Sequence, residues 1–218
     1  MTSCLHWRLY VIVDRATVGN RDLTQLAAAA IRGGADAIQL RDKTASTRQL
    51  IEEGTRLLSL TRAAGIPLIV NDHVDVAAAI GAEGVHVGQD DLPIADARRL
   101  LGENSVIGKS THNLEQALAA ESEGADYIGL GPIFATPTKP EYASVGLELI
   151  GDVVLKVRVP VVCIGGIDTS NLEQVLRAGA ERVAVVRAVC TAPDPESATR
   201  QLKETIVHFV RAKHHASL

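Results

Sequence analysis

The feature that most restricts how this chain can fold is an alternation repeated eight times. A short run rich in Val, Ile and Leu is followed each time by a longer segment carrying helix signals. The runs are Leu9–Val13, Ala37–Arg41, Pro67–Val70, Gly84–Val87, Val106–Gly108, Tyr127–Leu130, Val161–Ile164 and Val183–Val186. They recur at intervals of roughly 25 residues, the spacing of strand–helix units whose strands lie parallel. Between them, Asp22 is placed to cap a helix to Ala30, which Gly33-Gly34 stops. Ser46 or Thr47 caps another to about Ala64, ended by Gly65. Val74–Ile80 precedes Gly81, and Pro93 suits the first turn of a helix to Leu101. Further helices are expected over Asn113–Glu123, Leu147–Val157, Asn171–Ala178 and from Pro195 to about Ala212, leaving 213–218 as a disordered tail. Near-continuous Val/Ile runs indicate strands covered on both faces. Eight such units in 218 residues predict a single-domain (β/α)8 TIM barrel. A doubly wound open sheet is the alternative; it more often carries a glycine-rich first turn, and Asp14-Arg15-Ala16-Thr17 is not one.

Composition narrows the partners. The formal net charge of −4 argues against a general attraction to nucleic acid or membrane, so an anion would need a local pocket. No run approaches the roughly twenty apolar residues that span a bilayer, and the N-terminus lacks a signal-peptide pattern. Three cysteines, Cys4, Cys163 and Cys190, without metal-ligand spacing, fit a reducing cytoplasm. Cys163 and Cys190 read as packing residues. Oligomeric state is left open by the sequence.

The stretch from Asp36 to Lys43 places Gln39, Arg41 and Lys43 on one strand face and Ile38 and Leu40 on the other. Cations so close repel unless something negative lies among them. A phosphorylated ligand would answer that, and so would the exposed face of an edge strand. Other polar residues fall at the same address, the ends of the strands: Asn71 and Asp72; His86, Gln89 and Asp91; Ser110; Thr136, Thr138 and Lys139; Gly165 and Gly166; Arg187. In a barrel these ends share one rim, where the active site sits. Asp72 and Asp91 suit Mg²⁺ or helix capping, Asp90 or Asp91 being a plausible cap before Pro93. Gly165-Gly166 suits a phosphate cradle or a tight turn. The long loop 131–146 suits a lid or a surface excursion. His86 is a hydrogen-bonded barrel histidine or a proton-transfer group. Arg187 suits a phosphate or a rim salt bridge.

Six stretches in order carry a resemblance over nearly the whole chain: Gln39-Leu40-Arg41-Asp42-Lys43, Val70-Asn71-Asp72, Val85 to Pro93, Gly108 to His112, Gly131 to Lys139, and Ile164-Gly165-Gly166-Ile167. The chain resembles the thiamine phosphate synthase family, transferases of thiamine biosynthesis. The resemblance implies condensation of a hydroxymethylpyrimidine diphosphate with a thiazole phosphate, releasing pyrophosphate. It implies Mg²⁺ on Asp72 and Asp91, and Gln39 on the pyrimidine. It implies Arg41, Lys43, Asn71, Ser110 and Lys139 on the diphosphate, with Arg41, Lys43, Ser110 and Lys139 assisting its departure. Thr136, Pro137, Thr138, Gly166, Val186 and Arg187 would surround the thiazole phosphate, and Leu40 and Asp42 would line the substrate site. Many members carry Ser where this chain has Arg187, so the role of that side chain is open. A thiazole tautomerase-like relative and a non-catalytic phosphate-binding barrel are the alternatives; neither requires Asp72, Asp91, Arg41, Lys43 and Lys139 together.

Overall fold

The structure, a computed structural model, describes residues 6–138 and 143–216, with 214–216 described through the backbone. The elements run β1 (Leu9–Asp14), α1 (Arg15–Val18), α2 (Leu23–Arg32), β2 (Ala37–Arg41), α3 (Thr47–Ala64), β3 (Leu68–Asn71), α4 (Val74–Ile80), β4 (Gly84–Val87) and α5 (Ile94–Leu101). They continue with β5 (Val106–Thr111), α6 (Leu114–Ser122), β6 (Tyr127–Leu130), α7 (Glu148–Lys156), β7 (Val161–Ile164), α8 (Leu172–Arg177), β8 (Val183–Val185), α9 (Arg187–Cys190) and α10 (Pro195–Ala216). All pairings are parallel, and the sheet closes where β1 meets β8 with Leu9 opposite Val183. The open-sheet alternative is thereby excluded, as is the edge-strand reading of Asp36–Lys43, since β2 is bonded on both sides.

The caps explain the helix bounds. Asp22 accepts from Thr24 N and Gln25 N to begin α2. Ser46 and Gln49 form a reciprocal capping box on α3, and Gly65, left-handed at φ 70°, ends it. The structure corrects two expectations, on the α5 cap and the C-terminal tail, and adds two short helices. Pro93, not Asp90 or Asp91, occupies the cap position of α5. Two four-residue helices, α1 and α9, follow β1 and β8 directly. The last helix continues to Ala216, so the expected tail is helical through that residue; 217 and 218 lie outside the described residues. The helix expected over Leu147–Val157 is α7, with those two residues as its caps.

Alternation divides the core into two layers. Val11, Val13, Ile38, Leu40, Val70, Val85 and Ile107 face outward under the helices. Each such buried aliphatic side chain contributes about 1.5–3 kcal/mol. Tyr10, Ile12, Ala37, Ile69, Val106, Tyr127, Val162 and Ala184 fill the barrel with Trp7. Trp7, to which the sequence assigns no role, lies 5.6 Å from the Tyr10 ring and 5.5 Å from the Tyr127 ring. This inner layer forms a floor below the C-terminal rim. Cys163 and Cys190 are both buried free thiols, and burial pushes Cys163 up to about 12.

Candidate active site

A cavity of about 610 Å³ opens above that floor. Its lining includes Gln39, Arg41, Asn71, His86, Ser110, Thr136, Pro137, Thr138, Gly165, Gly166, Val186 and Arg187, from seven of the eight strand ends. Many of the sequence-predicted polar residues thus share one cavity; Lys43, Asp72, Gln89 and Asp91 are not part of its lining. The parallel register accounts for it: Gln39 lies beside Ile69, Asn71 beside His86, and His86 beside Gly108, so successive strand ends rise around one mouth.

The cations of β2 come with partners. Arg41 Nη1 donates to Asp14 Oδ1 at 2.6 Å, across the register pair Asp14–Arg41. Asp14 is 1% exposed and also caps α1 by accepting from Thr17 N. Sequence reasoning missed it as a site residue; the available signal was its place at the end of the strand preceding β2. Lys43 Nζ lies 3.7 Å from Asp72 Oδ2. Two residues assigned to the substrate site are placed elsewhere. Leu40 is 1% exposed in the outer layer, with Cδ2 facing Gly54 of α3. Asp42 folds back on its own turn, where Oδ1 accepts from Thr44 N at 2.9 Å and Ala45 N at 3.0 Å. Period-two alternation turns Leu40 outward, and the end of the strand at Arg41 frees Asp42 to form the turn.

Asp72 is the one non-glycine residue with positive φ, 62°, among the described residues. Its N–H donates to His86 O at 2.8 Å, which holds the backbone in that shape. Such a conformation costs about 1–3 kcal/mol and concentrates at functional positions. Asp91 Oδ2 accepts from Gly88 N at 2.6 Å, which fixes the carboxylate at the end of β4. Asp72 and Asp91 follow adjacent strands, β3 and β4. No group of three or more His, Cys, Asp or Glu suited to a metal occurs among the described residues. A donor set of two carboxylates fits Mg²⁺, which keeps waters and shares phosphate oxygens rather than filling an all-protein cage. Neither acid is part of the cavity lining itself.

At the opposite side of the mouth the loop after β6 rests on the turn after β7. Ile133 N donates to Ile164 O at 2.8 Å and Phe134 N to Gly165 O at 3.0 Å. A Cβ on Gly165 would stand 2.4 Å from Pro132 Cβ, so the close approach requires glycine. Gly165-Gly166 therefore makes a tight turn, with Gly166 left at the cavity wall. Thr138 Oγ1 is buried without a hydrogen-bond partner among the described residues. Arg187 is exposed at the start of α9 and lines the cavity; the alternative of a rim salt bridge is not among the ion pairs of the described residues. Lys139 lies outside the described residues, as does the middle of the expected lid.

A chain of hydrogen bonds crosses the floor, buried at Gln39, Tyr10 and Tyr127 and half-buried at His86 and Ser110. Gln39 Nε2 donates to the Tyr10 hydroxyl at 2.7 Å, which lies 3.2 Å from the Tyr127 hydroxyl. The Tyr127 hydroxyl is 2.9 Å from His86 Nδ1, and His86 Nε2 is 2.9 Å from Ser110 Oγ. His86 is thus the hydrogen-bonded barrel histidine the sequence allowed. Burial holds Tyr10 above the ordinary phenol range, against the lowering effect of its bonds to Tyr127 and Gln39. Tyr10 and Tyr127 were not singled out from the sequence as site residues.

The family model described as thiamine monophosphate synthase matches residues 9–189. A thiamine-phosphate synthase of Chloroflexus aurantiacus is 53% identical over 201 residues, covering 92% of this chain and 93% of that protein. One from a Roseiflexus species is 50% identical over 199 residues, covering 91% and 84%. Among solved structures, a thiamine phosphate pyrophosphorylase from Pyrococcus furiosus superposes with a TM-score of 0.86 at 40% identity, covering 93% of this chain and 96% of the other.

Proposed function

From the premise that the chain belongs to the thiamine monophosphate synthase family, we propose that it joins an aminopyrimidine methylene diphosphate to a thiazole phosphate. The products would be thiamine monophosphate and pyrophosphate. The observation that carries this reading is the single cavity onto which Gln39, Arg41, Asn71, Ser110, Thr136, Thr138 and Gly166 converge. A ring and two anionic groups need such a mixture of amide, guanidinium, hydroxyl and bare backbone.

In this reading Gln39 holds the pyrimidine above the tyrosine floor. Arg41, fixed in direction by Asp14, and Asn71 and Ser110 grip the diphosphate, with Lys43 and Lys139 adding charge. Thr136, Thr138 and the Gly166 and Val186 backbone receive the thiazole phosphate. The unpartnered Thr138 hydroxyl supports this placement, as does the exposed Arg187 in the lining of the same cavity. The thiazole nitrogen forms the new C–N bond at the methylene carbon, and the C–O bond breaks with its electron pair leaving on pyrophosphate. No side chain is needed as a nucleophile. The residues hold the two reactants in line and stabilise the charge that develops on the leaving group. Mg²⁺ bound by Asp72 and Asp91 would supply Lewis-acid neutralisation of that leaving group. Lys43 Nζ, 3.7 Å from Asp72 Oδ2, would add its positive charge near the same leaving group.

The test is an assay with both substrates, with and without Mg²⁺. Pyrophosphate release should need the metal and the thiazole partner together; release that ignores either refutes the reading. Asp72→Ala and Asp91→Ala should each abolish turnover while the far-ultraviolet dichroism of the barrel persists. Full activity in both variants would remove the metal assignment.

A further inference from the structure

The helix α9 is too short to hold its own position. It has four residues, Arg187–Cys190, and a single turn fixes many dihedrals for few internal hydrogen bonds. Its last carbonyls have no partner further along a helix. Yet both ends of this turn stand on the cavity wall: Val186, Arg187 and Ala188 at its start, Thr191, Ala192 and Pro193 after its close. Within the turn, Arg187 O accepts from Thr191 N at 3.0 Å and Val189 O accepts from Ala192 N at 3.2 Å. The carbonyls of Cys190 and Ala192 are met from another segment. Arg21 Nη1 donates to Cys190 O at 2.8 Å and to Ala192 O at 3.1 Å. One guanidinium nitrogen thus spans the carbonyls on either side of Thr191, the way a basic side chain satisfies the end of a helix.

Arg21 stands near the end of the connection from β1 to α2, and that connection is closed on itself. Arg21 N donates to the carbonyl of the buried Val18 at 3.2 Å. Arg15 Nη1 donates to Gly19 O at 3.2 Å and to Arg21 O at 3.0 Å. Arg15 also lies 3.9 Å from Asp42 Oδ2 and 3.8 Å from Glu53 Oε2, which ties the turn to the β2 end and to α3. At the start of the connection Asp14 Oδ2 accepts from Thr17 N at 3.1 Å and from the Thr17 hydroxyl at 2.7 Å. Arg21 therefore rests on a braced turn, and its side chain carries that bracing to the α9 wall of the cavity.

We propose that Arg21, which is not itself part of the cavity lining, is a positioning residue for the thiazole-phosphate side of the pocket, its two bonds fixing where Val186 and Arg187 stand. The inference rests on the functional reading above, which sets the thiazole phosphate against Val186 and its neighbours. The diphosphate side is held by other contacts. Asp14 aims Arg41 and the Tyr10 hydroxyl accepts from Gln39, and neither bond passes through the Arg21 guanidinium. Loss of that guanidinium therefore weakens one substrate and spares the other, an asymmetry that a general loosening of the barrel would not produce. One of the two bonds is part-buried and the other exposed. Their loss acts on the local order of the wall rather than on the folding of the whole barrel.

The experiment has two arms. In the first, steady-state kinetics are measured in wild type, Arg21→Ala and Arg21→Lys, with each substrate varied while the other saturates. Arg21→Ala should raise KM for the thiazole phosphate roughly tenfold, the scale of one charge-assisted hydrogen bond, with KM for the pyrimidine diphosphate at its wild-type value. Arg21→Lys, whose ammonium can donate in place of the guanidinium, should fall between the two. In the second arm, carbon-13 methyl resonances are compared in the ligand-free proteins. Those of Ala188 and Ala192 should move in Arg21→Ala, while that of Ala117 in α6 should not. Both KM values rising together, a fall in kcat with neither KM changed, or unmoved Ala188 and Ala192 methyls overturns the proposal. A wild-type protein that fails to turn over the two substrates would instead refute the functional reading, and the methyl resonances would still decide whether Arg21 holds the α9 wall.

Discussion

A guanidinium and a carboxylate inside a barrel wall are tolerable only as a pair, and Arg41 with Asp14 is such a pair, with side chains 10% and 1% exposed. Arg41→Ala strands the Asp14 charge. It should lower stability by about 3–5 kcal/mol in urea unfolding, and Arg41→Ala/Asp14→Asn should recover part of that loss without recovering turnover. Asp72 presents the opposite balance, a backbone strained for function. Asp72→Gly removes the side-chain penalty of its φ of 62°, so it should melt no lower than wild type although inactive. Asp72→Ala keeps the strain, loses the Lys43 contact and should be less stable than Asp72→Gly by about 1 kcal/mol. At this scale the sequence displayed the cations of β2 but not their counter-charges. Asp14 stands far from Arg41 along the chain, and only strand pairing makes them neighbours. Leu40 and Asp42 sat inside a motif whose neighbours do line the cavity, and alternation alone separated Leu40 from them.

Elements were legible where their signals were long or punctuated. The α3 bounds followed from Ser46, Gln49 and Gly65, and all eight strands fell close to the Val/Ile-rich runs. The short helices α1 and α9 were not legible, because four residues carry no hydrophobic period. They are set instead by the turns needed at the ends of β1 and β8. The tyrosine chain was invisible for a related reason: Tyr10 and Tyr127 read as ordinary strand residues until the barrel closes and brings them within 3.2 Å. The glycine that admits the Tyr127 ring, Gly108, sits in mid-strand, where glycine weakens a β element unless something needs the space. Gly108→Ala should therefore destabilise despite its better strand propensity. With a Cβ 2.1 Å from Tyr127 Cζ, overpacking of about 1–3 kcal/mol is expected, read as a lower thermal midpoint. The displaced ring should also disturb the His86 nitrogen resonances, which a remote glycine substitution would not.

Across the whole molecule the two ends of the barrel do different work. The C-terminal rim gathers the polar site, whereas the opposite end fastens the chain's beginning to its close. There Asp36 Oδ2 accepts from Arg8 N and Leu9 N, and Lys203 of α10 pairs with the same carboxylate. Glu181, just before β8, takes Arg8 at 3.0 Å, Lys213 of α10 at 3.8 Å and Arg182 at 3.9 Å. Burial by itself would raise the Glu181 pKa, but the Arg8 hydrogen bond and the charges of Arg8, Lys213 and Arg182 outweigh it, and the carboxyl titrates below its ordinary 4.5. A depressed folded-state value means that the unfolded chain binds the proton more readily. The stabilisation is therefore complete above pH 4.5, and it is lost as pH falls through the lower folded value. Glu181→Gln should lower the thermal midpoint at pH 7 by an amount equivalent to about 1 kcal/mol, since the pair is partly screened. The gap between variant and wild type should close as pH drops below the folded-state value and the native carboxyl is itself protonated. Because Glu181 stands at the end of the barrel away from the cavity, kcat for pyrophosphate release should be unchanged at temperatures where both proteins are folded. A gap that persists in acid would mean that Glu181 stabilises through packing rather than charge, and a changed kcat would mean that the two ends of the barrel are mechanically coupled.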